Sequence, residues 1–366
     1  MNSLYIHIPF CEKKCLYCSF VVAIGQRHRA ADYLNCLRKE AQSWKGTRCD
    51  SVYIGGGTPT FLENDQLKEM AEMLHDFFPL SSGAEVTIES NPEGMDLAKA
   101  RLLRQLGFNR ISLGLQSLND AYLKFLGRCH DRAQALRAYE ILREGGFSNI
   151  NLDLMFSFPG QTAQDIEDDV RAVCHLKSQH LSLYSLTIEE NSRFYAQKMT
   201  LDDDQLAEQY LLVVNLLEQF GLKQYEISNF AQPGKEARHN RNYWLGGDYI
   251  GLGVGAHSHQ QGRRWWNVSR LADYMDRINR KESPLDGEEC LFADKRLMER
   301  LLFGLRMNEG VDTSALEQEY AVRIDPVRKK QIADFITQGF LNESKGRLIA
   351  TSQGRLILEE ICARLI

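Results

Sequence analysis

The chain has 366 residues, 44 Lys and Arg against 49 Asp and Glu, a net charge of −5, and 43% hydrophobic side chains. That length exceeds a single small module, and the absence of a basic excess argues against nucleic acid or an anionic membrane as the main partner. No apolar run approaches the roughly 20 residues of a bilayer span, and nine cysteines, an odd number mostly scattered along the chain, point to reduced thiols and a cytoplasmic location.

The first candidate strand is Leu4 to Ile8, and in the loop after it Cys11, Cys15 and Cys18 crowd into eight residues. An amphipathic stretch from Ala31 to Trp44 leads to a second strand, Ser51 to Gly55. Helices over Asn64 to Phe77, Met95 to Leu106, Ala133 to Glu144 and Ala163 to Leu176 then alternate with strands over Glu85 to Glu89, Arg110 to Leu115, Asn149 to Met155 and His180 to Thr187. About six βα units in succession predict an α/β fold with a parallel sheet and helices outside it, either open or curled into a barrel.

Polar and turn-forming residues follow the strands: Gly55-Gly56-Gly57-Thr58-Pro59, Glu89-Ser90-Asn91-Pro92, Gln116-Ser117, Asp153 ahead of Ser157-Phe158-Pro159-Gly160, and Thr187 with Glu189-Glu190. Loops at strand C-termini converge on one rim in either architecture, and ligands bind there. With three cysteines on the same rim, this is the candidate catalytic face.

The βα rhythm stops near Gly234, and a stretch rich in Arg, Asn, Tyr, Trp and Gly runs from Arg238 to Trp266. We therefore expect a barrel-like domain over residues 1–235 and a second region over 236–366. From Asp294 the order is two or three helices, Gly339-Phe340-Leu341-Asn342, a hairpin about Lys345-Gly346 and a last helix from Ser352, which resembles a winged helix. Its mixed charges favour a packing or partner-docking module over DNA binding.

The cysteine loop reads C-x3-C-x2-C. Three thiolates so close can hold three corners of an iron–sulfur cubane, which normally takes four Cys ligands, and would leave one iron open to a non-protein ligand. The alternatives are a zinc site closed by His7 or His28 and unligated packing thiols.

This spacing, after Tyr5-Ile6-His7-Ile8-Pro9-Phe10, resembles the signature of the radical S-adenosylmethionine enzymes. The resemblance implies a partial (β/α)6 barrel, a 4Fe-4S cluster on Cys11, Cys15 and Cys18, and S-adenosylmethionine chelating the open iron through its amino and carboxylate groups. Over nearly its whole length the chain is also similar to the anaerobic coproporphyrinogen oxidase group. That likeness implies cofactor contacts from Gly56, Gly57, Thr58, Glu89, Gln116, Arg128 and Asp153, with Tyr5 and Tyr17 beside the adenosine and the cluster. Taken singly, Arg128 reads equally as a surface charge and Glu89 as a helix cap.

Two departures separate the chain from the oxidases. They carry a further cysteine two positions after the third, where this chain has Phe20, and a long extension before the first strand, which here begins at about Leu4. His239-Asn240-Arg241-Asn242-Tyr243-Trp244 instead matches the H-N-x-x-Y-W motif of the short HemW-type relatives regarded as heme chaperones. The resemblance implies heme as cargo, bound through His239, Asn240, Tyr243 and Trp244, and an unidentified acceptor protein, for which a membrane-associated one is compatible. A His can ligate heme iron, aromatic rings can pack on the macrocycle and Arg can pair with propionates. The bland alternative is a hydrogen-bonded loop His with core aromatics. His257 is a second candidate ligand, and Arg263, Arg264, Trp265 and Trp266 read as an ordinary hairpin. The rival function is oxygen-independent oxidation of coproporphyrinogen III.

Overall fold

The computed structural model describes residues 2–366. Six strands lie side by side and parallel in sequence order: β1 (Asn2–Ile8), β2 (Cys49–Gly56), β3 (Leu80–Ser90), β4 (Arg110–Gln116), β5 (Asn149–Phe156) and β6 (His180–Ser185). Helices Ala30–Gln42, Asn64–Phe77, Leu97–Gln105, Arg132–Glu144 and Ala163–His175 connect them. Each helix turns one apolar face to the sheet. In the first, Tyr33, Leu34, Leu37 and Ala41 recur at helical spacing and are buried. Asp131 with Gln134, and Thr162 with Asp165, form reciprocal capping boxes that start two of these helices, a device worth about 1 kcal/mol each.

The sheet extends at both edges. Beside β6 lies a hairpin of β7 (Lys223–Glu226) and β8 (Asn229–Ala231). Beside β1 the chain returns as β9 (Asp248–Leu252), parallel to β1, then β10 (His257–Gln260), β11 (Arg263–Asn267) and β12 (Leu285–Cys290), each antiparallel to the last. The order β12-β11-β10-β9-β1-β2-β3-β4-β5-β6-β8-β7 never pairs β1 with β6, so the barrel is partial. The composition break at 235/236 is not a break in the sheet, because the strands from residue 248 onward are added to the β1 edge. The apolar cores divide later: one extends from Leu4 to Ile278, the other from Leu297 to Leu365.

The second core belongs to helices Ala293–Arg306, Thr313–Tyr320 and Pro326–Thr337, the hairpin β13 (Leu341–Ser344) and β14 (Arg347–Ala350), and two short final helices. This is the expected C-terminal helical unit, with positive φ at both Lys345 and Gly346 as a two-residue hairpin turn requires. No helix among the described residues is long and apolar enough to cross a membrane.

The sheet's two faces differ sharply. Leu4, Ile6 and Ile8 of β1, Val52 and Ile54 of β2, and Ile111 and Leu113 of β4 belong to the core under the helices. The intervening residues point inward and are polar, bonded across strands: Ser3 Oγ to Ser51 Oγ at 2.7 Å, Tyr53 Oη to Glu89 at 2.7 Å, Ser112 Oγ to Asp153 at 3.0 Å, Asn151 with Ser182 at 2.9 Å. A closed barrel of this family of architectures fills its interior with branched apolar side chains. This one keeps a polar interior that opens on the C-terminal rim.

Candidate functional site

A cleft of about 1350 Å³ occupies that rim. Cys11, Cys15 and Cys18 line it and are each half-buried, on the loop after β1. Cys11 Sγ lies 3.5 Å from Thr58 Oγ1, and Thr58 in turn accepts from Asn91 Nδ2 at 3.1 Å. Burial pushes the Cys11 thiol up to about 11 and raises that of Cys18 as well. Thiols held protonated in this way lose their protons on binding metal.

The donor set fits an iron–sulfur cluster. A cubane asks each of three thiolates to reach a separate iron, and Cys11, Cys15 and Cys18 all line this one cleft. His7, one proposed closing ligand for zinc, has Nδ1 2.9 Å from Tyr5 Oη and Nε2 2.8 Å from the Val21 carbonyl. Gly57 supplies the space the loop needs: a Cβ there would meet the Phe10 carbonyl at 2.8 Å and Cys11 Sγ at 2.9 Å.

Opposite charges share the cleft. Glu89 accepts from Tyr53 Oη at 2.7 Å and from the Gly56 backbone N–H at 3.1 Å, and burial together with nearby Asp153 raises its pKa to about 7. Arg128 reaches Asn91 Oδ1 and the Gly114 carbonyl, both at 2.8 Å, and Cys15 Sγ at 3.5 Å, while its Nε has no partner among the described residues. A carboxylate and a guanidinium in one cleft suit the ammonium and carboxylate of an amino acid. Gln116 closes β4 with φ +68°, left-handed for a residue with a side chain, and Ser157 after β5 repeats this at +65°. Such strain clusters at ligand sites.

Of the expected rim residues, the structure brings Tyr17, Gly56, Gly57, Thr58, Glu89, Gln116, Arg128 and Asp153 to this cleft with the three cysteines. Tyr5 lies beneath it, its ring 6.4 Å from that of Tyr53. Asn91, of the strand-end run Glu89-Ser90-Asn91-Pro92, lines it too, and Tyr53, Ser112 and Tyr184 line the cleft without having been foreseen. The signal for Tyr53 and Ser112 was the period-2 alternation of β2 and β4, which places them on the face of Gly55 and Gly114.

The H-N-x-x-Y-W segment is elsewhere. It forms the helix Arg238–Trp244 against the opposite, N-terminal end of β2, and His239 is 1% exposed. Its Nδ1 is 3.0 Å from Ser51 Oγ and its Nε2 3.0 Å from Tyr243 Oη, and burial lowers its pKa to about 3. Both ring nitrogens are engaged in this structure, Nδ1 with Ser51 and Nε2 with Tyr243, and the side chain is packed under the barrel. Asn240 is half-buried on the same helix. Trp244 wedges against the C-terminal unit, 6.1 Å from the ring of Phe303 and under the Arg306 guanidinium at 4.3 Å.

Residues 5–173 match the radical SAM superfamily and residues 291–357 the HemN C-terminal domain. Fold, cysteine loop and match define the class: the chain is a radical SAM protein with an α/β partial barrel and a C-terminal helical domain. Heme chaperone HemW of Bacillus subtilis is 36% identical, covering 99% of this chain and 98% of that protein, and heme chaperone HemW of Lactococcus lactis is 33% identical, covering 96% and 94%. The chain belongs to the HemW family. The solved coproporphyrinogen III oxidase HemN of Escherichia coli, a radical SAM enzyme, superposes with a TM-score of 0.87 at 26% identity, covering 100% of this chain and 89% of that one.

Proposed function

We propose that this chain is a cytoplasmic heme chaperone, which binds heme and passes it to an acceptor protein, and which carries a 4Fe-4S cluster on Cys11, Cys15 and Cys18 with S-adenosylmethionine in the adjoining cleft. The observation that carries this reading is the 36% identity along 99% of the chain with a protein named for heme chaperoning. In the cleft, Glu89 would accept a hydrogen bond from the cofactor's amino group, Arg128 would pair with its carboxylate, and Gln116 and Asp153 would offer hydrogen-bond acceptors to its sugar. Bound together, the cluster and cofactor supply one-electron chemistry at the sulfonium. Thr58 and Asn91 hold the Cys11 thiol in place, and Gly57 lets the cysteine loop lie close. The acceptor is a protein still to be found, and a membrane-bound one suits a donor of this kind.

The test is an anaerobic heme titration of cluster-loaded protein followed by transfer to an apo b-type cytochrome. Saturation near one heme per chain with transfer faster than from free heme is expected. A second reading, coproporphyrinogen III oxidation, draws on the 0.87 superposition with the oxidase. Phe20, 65% exposed at the cleft where the oxidases have a cysteine, argues against it. Protoporphyrinogen formed from coproporphyrinogen III, S-adenosylmethionine and a strong reductant would reverse the order of the two readings.

A further inference from the structure

A second pocket adjoins the cysteine cleft, between the cysteine loop and the loops that follow β2 and β3. Cys15, Thr58, Asn91 and Arg128 line both, whereas Arg27, Phe61, Glu93 and Lys99 line only the second. With open solvent left out it has room of about 150 Å³, enough for a group the size of phosphate.

The lining is positive in a chain whose net charge is −5: Lys13, Arg27, Lys99 and Arg128 stand against Glu12 and Glu93, and Glu93 is engaged by His130 Nδ1 at 3.2 Å. Arg27 lies over the ring of Phe61, 4.3 Å from its centroid, which fixes the guanidinium. It also meets Glu63 at 3.0 Å, but both partners of that pair are well exposed, so it neutralises Arg27 weakly. Arg27 Nε is buried and has no partner among the described residues, and the same holds for Arg128 Nε. Lys99 Nζ donates to the carbonyls of Thr60 at 2.8 Å and Leu62 at 3.4 Å, both neutral acceptors. Burial, and after it the nearby Arg27, lowers the pKa of Lys99. Cations close enough to oppose one another's charge, with two buried N–H donors left over, form the complement of an anion.

We propose that this pocket binds a small free oxyanion of the phosphate type, held by Arg27, Lys99 and Arg128, with the exposed Lys13 at its edge. Donors come from four separate segments of chain, which suits the several oxygens of a tetrahedral anion better than the planar fork of one carboxylate. No covalent bond forms or breaks on binding. Arg128 gives the site a consequence, because its guanidinium also lies 3.5 Å from Cys15 Sγ. An anion on Arg128 offsets the positive charge at that sulfur, so occupancy lowers the potential of a cluster held by Cys15. The pocket itself is independent of the heme-chaperone reading, and only this last consequence rests on the cluster.

The experiment is calorimetric titration of inorganic phosphate, and in separate runs glycerol phosphate and acetate, into the cluster-loaded chain in phosphate-free buffer at fixed ionic strength. Wild type is compared with Arg27→Gln/Lys99→Gln, Lys99→Arg and Arg29→Gln. Expected are saturation near one phosphate per chain and a loss of affinity of about tenfold or more in the double variant, the scale of charge-assisted hydrogen bonds removed. Arg29→Gln, whose cation is two residues from Arg27 but outside the pocket, should bind as wild type does. Lys99→Arg keeps the charge and should retain binding, which separates charge from packing, while circular dichroism and iron content report whether each variant has folded. Redox titration should give a lower midpoint potential with phosphate than without it in the wild type, and no difference in the double variant. Either phosphate supports the site, and the tighter one tells a free ion from an ester. Acetate binding as tight as phosphate, phosphate binding that the double variant leaves unchanged, or no saturable phosphate binding overturns the site. Binding as expected with an unmoved potential overturns the link to the cluster.

Discussion

The guanidinium of Arg128 lies 3.5 Å from Cys15 Sγ and shares its other bonds between Asn91 and the Gly114 carbonyl. One side chain therefore touches a thiol that would ligate the proposed cluster while facing the cleft that would hold the cofactor. A hydrogen bond and a positive charge at a cluster sulfur favour the reduced state. Arg128→Met should lower the cluster's midpoint potential by tens of millivolts and weaken S-adenosylmethionine binding at least tenfold, about 1.4 kcal/mol. Redox titration followed by electron paramagnetic resonance, with and without the cofactor, reads both. An unchanged potential would leave Arg128 with a purely steric part.

Glu89 gives the cleft a pH signature. Burial lifts its pKa from the ordinary 4.5 to about 7, with Asp153 adding to the effect and the bonds from Tyr53 and Gly56 opposing it. Because the folded value is the higher one, the stability this carboxyl contributes is complete below pH 4.5 and is lost as pH rises through 7. A hydrogen bond from the cofactor's amino group would favour the carboxylate, so cofactor binding at pH 7 should release roughly half a proton from Glu89, and affinity should rise between pH 6 and 8. Calorimetry in buffers of different ionisation enthalpy measures that release. Glu89→Gln should abolish it, weaken binding, and make the ligand-free chain about 1 to 2 kcal/mol more stable at pH 8, allowing for the carboxyl's partial exposure.

Gly57 tests whether the cysteine loop needs its close approach. The Cβ of Gly57→Ala would fall 2.8 Å from both the Pro9 carbonyl carbon and the Phe10 oxygen, backbone atoms that cannot swing aside. The loop carrying Cys11 must move instead. Iron per chain after reconstitution should fall by half or more while far-ultraviolet circular dichroism stays as in the wild type. Full iron content in this variant would show that the loop adapts.

Much of this architecture was legible in the sequence because its causes are local. The strands of the parallel sheet announce themselves by apolar runs between amphipathic helices, and Cys11, Cys15 and Cys18 are neighbours in sequence before they are neighbours in space. Glu89, Gln116 and Asp153 were readable from their place at or near strand ends, which in a parallel sheet all lie on one side. What escaped depends on long-range pairing. Nothing local says that Asp248–Leu252 returns to pair with β1, 246 residues earlier, so the polar inner face was not seen to extend to His259 and Arg264. His239 escaped for the same reason: its partner Ser51 is 188 residues away, and that bond turns a motif histidine into an interior one.

Trp244 shows what else the motif does. Its indole lies between the sheet and the C-terminal unit, against Phe303 and Arg306 and beside the small cluster of Tyr225, Ala231 and Met307. Helix Ala293–Arg306, which carries Arg296 and Arg300, is thus held against the barrel partly by this ring. Truncating a large aromatic fully buried in a core costs about 3 to 5 kcal/mol, and a half-buried one less. Trp244→Ala should therefore lower stability by about 2 kcal/mol and raise amide exchange in residues 293–306. The cysteine cleft shares no lining residue with this contact, so cluster content should be preserved. Hydrogen exchange read by mass spectrometry, alongside iron analysis, separates the two effects. Loss of the cluster in Trp244→Ala would mean that the two ends of the barrel are coupled through its polar interior.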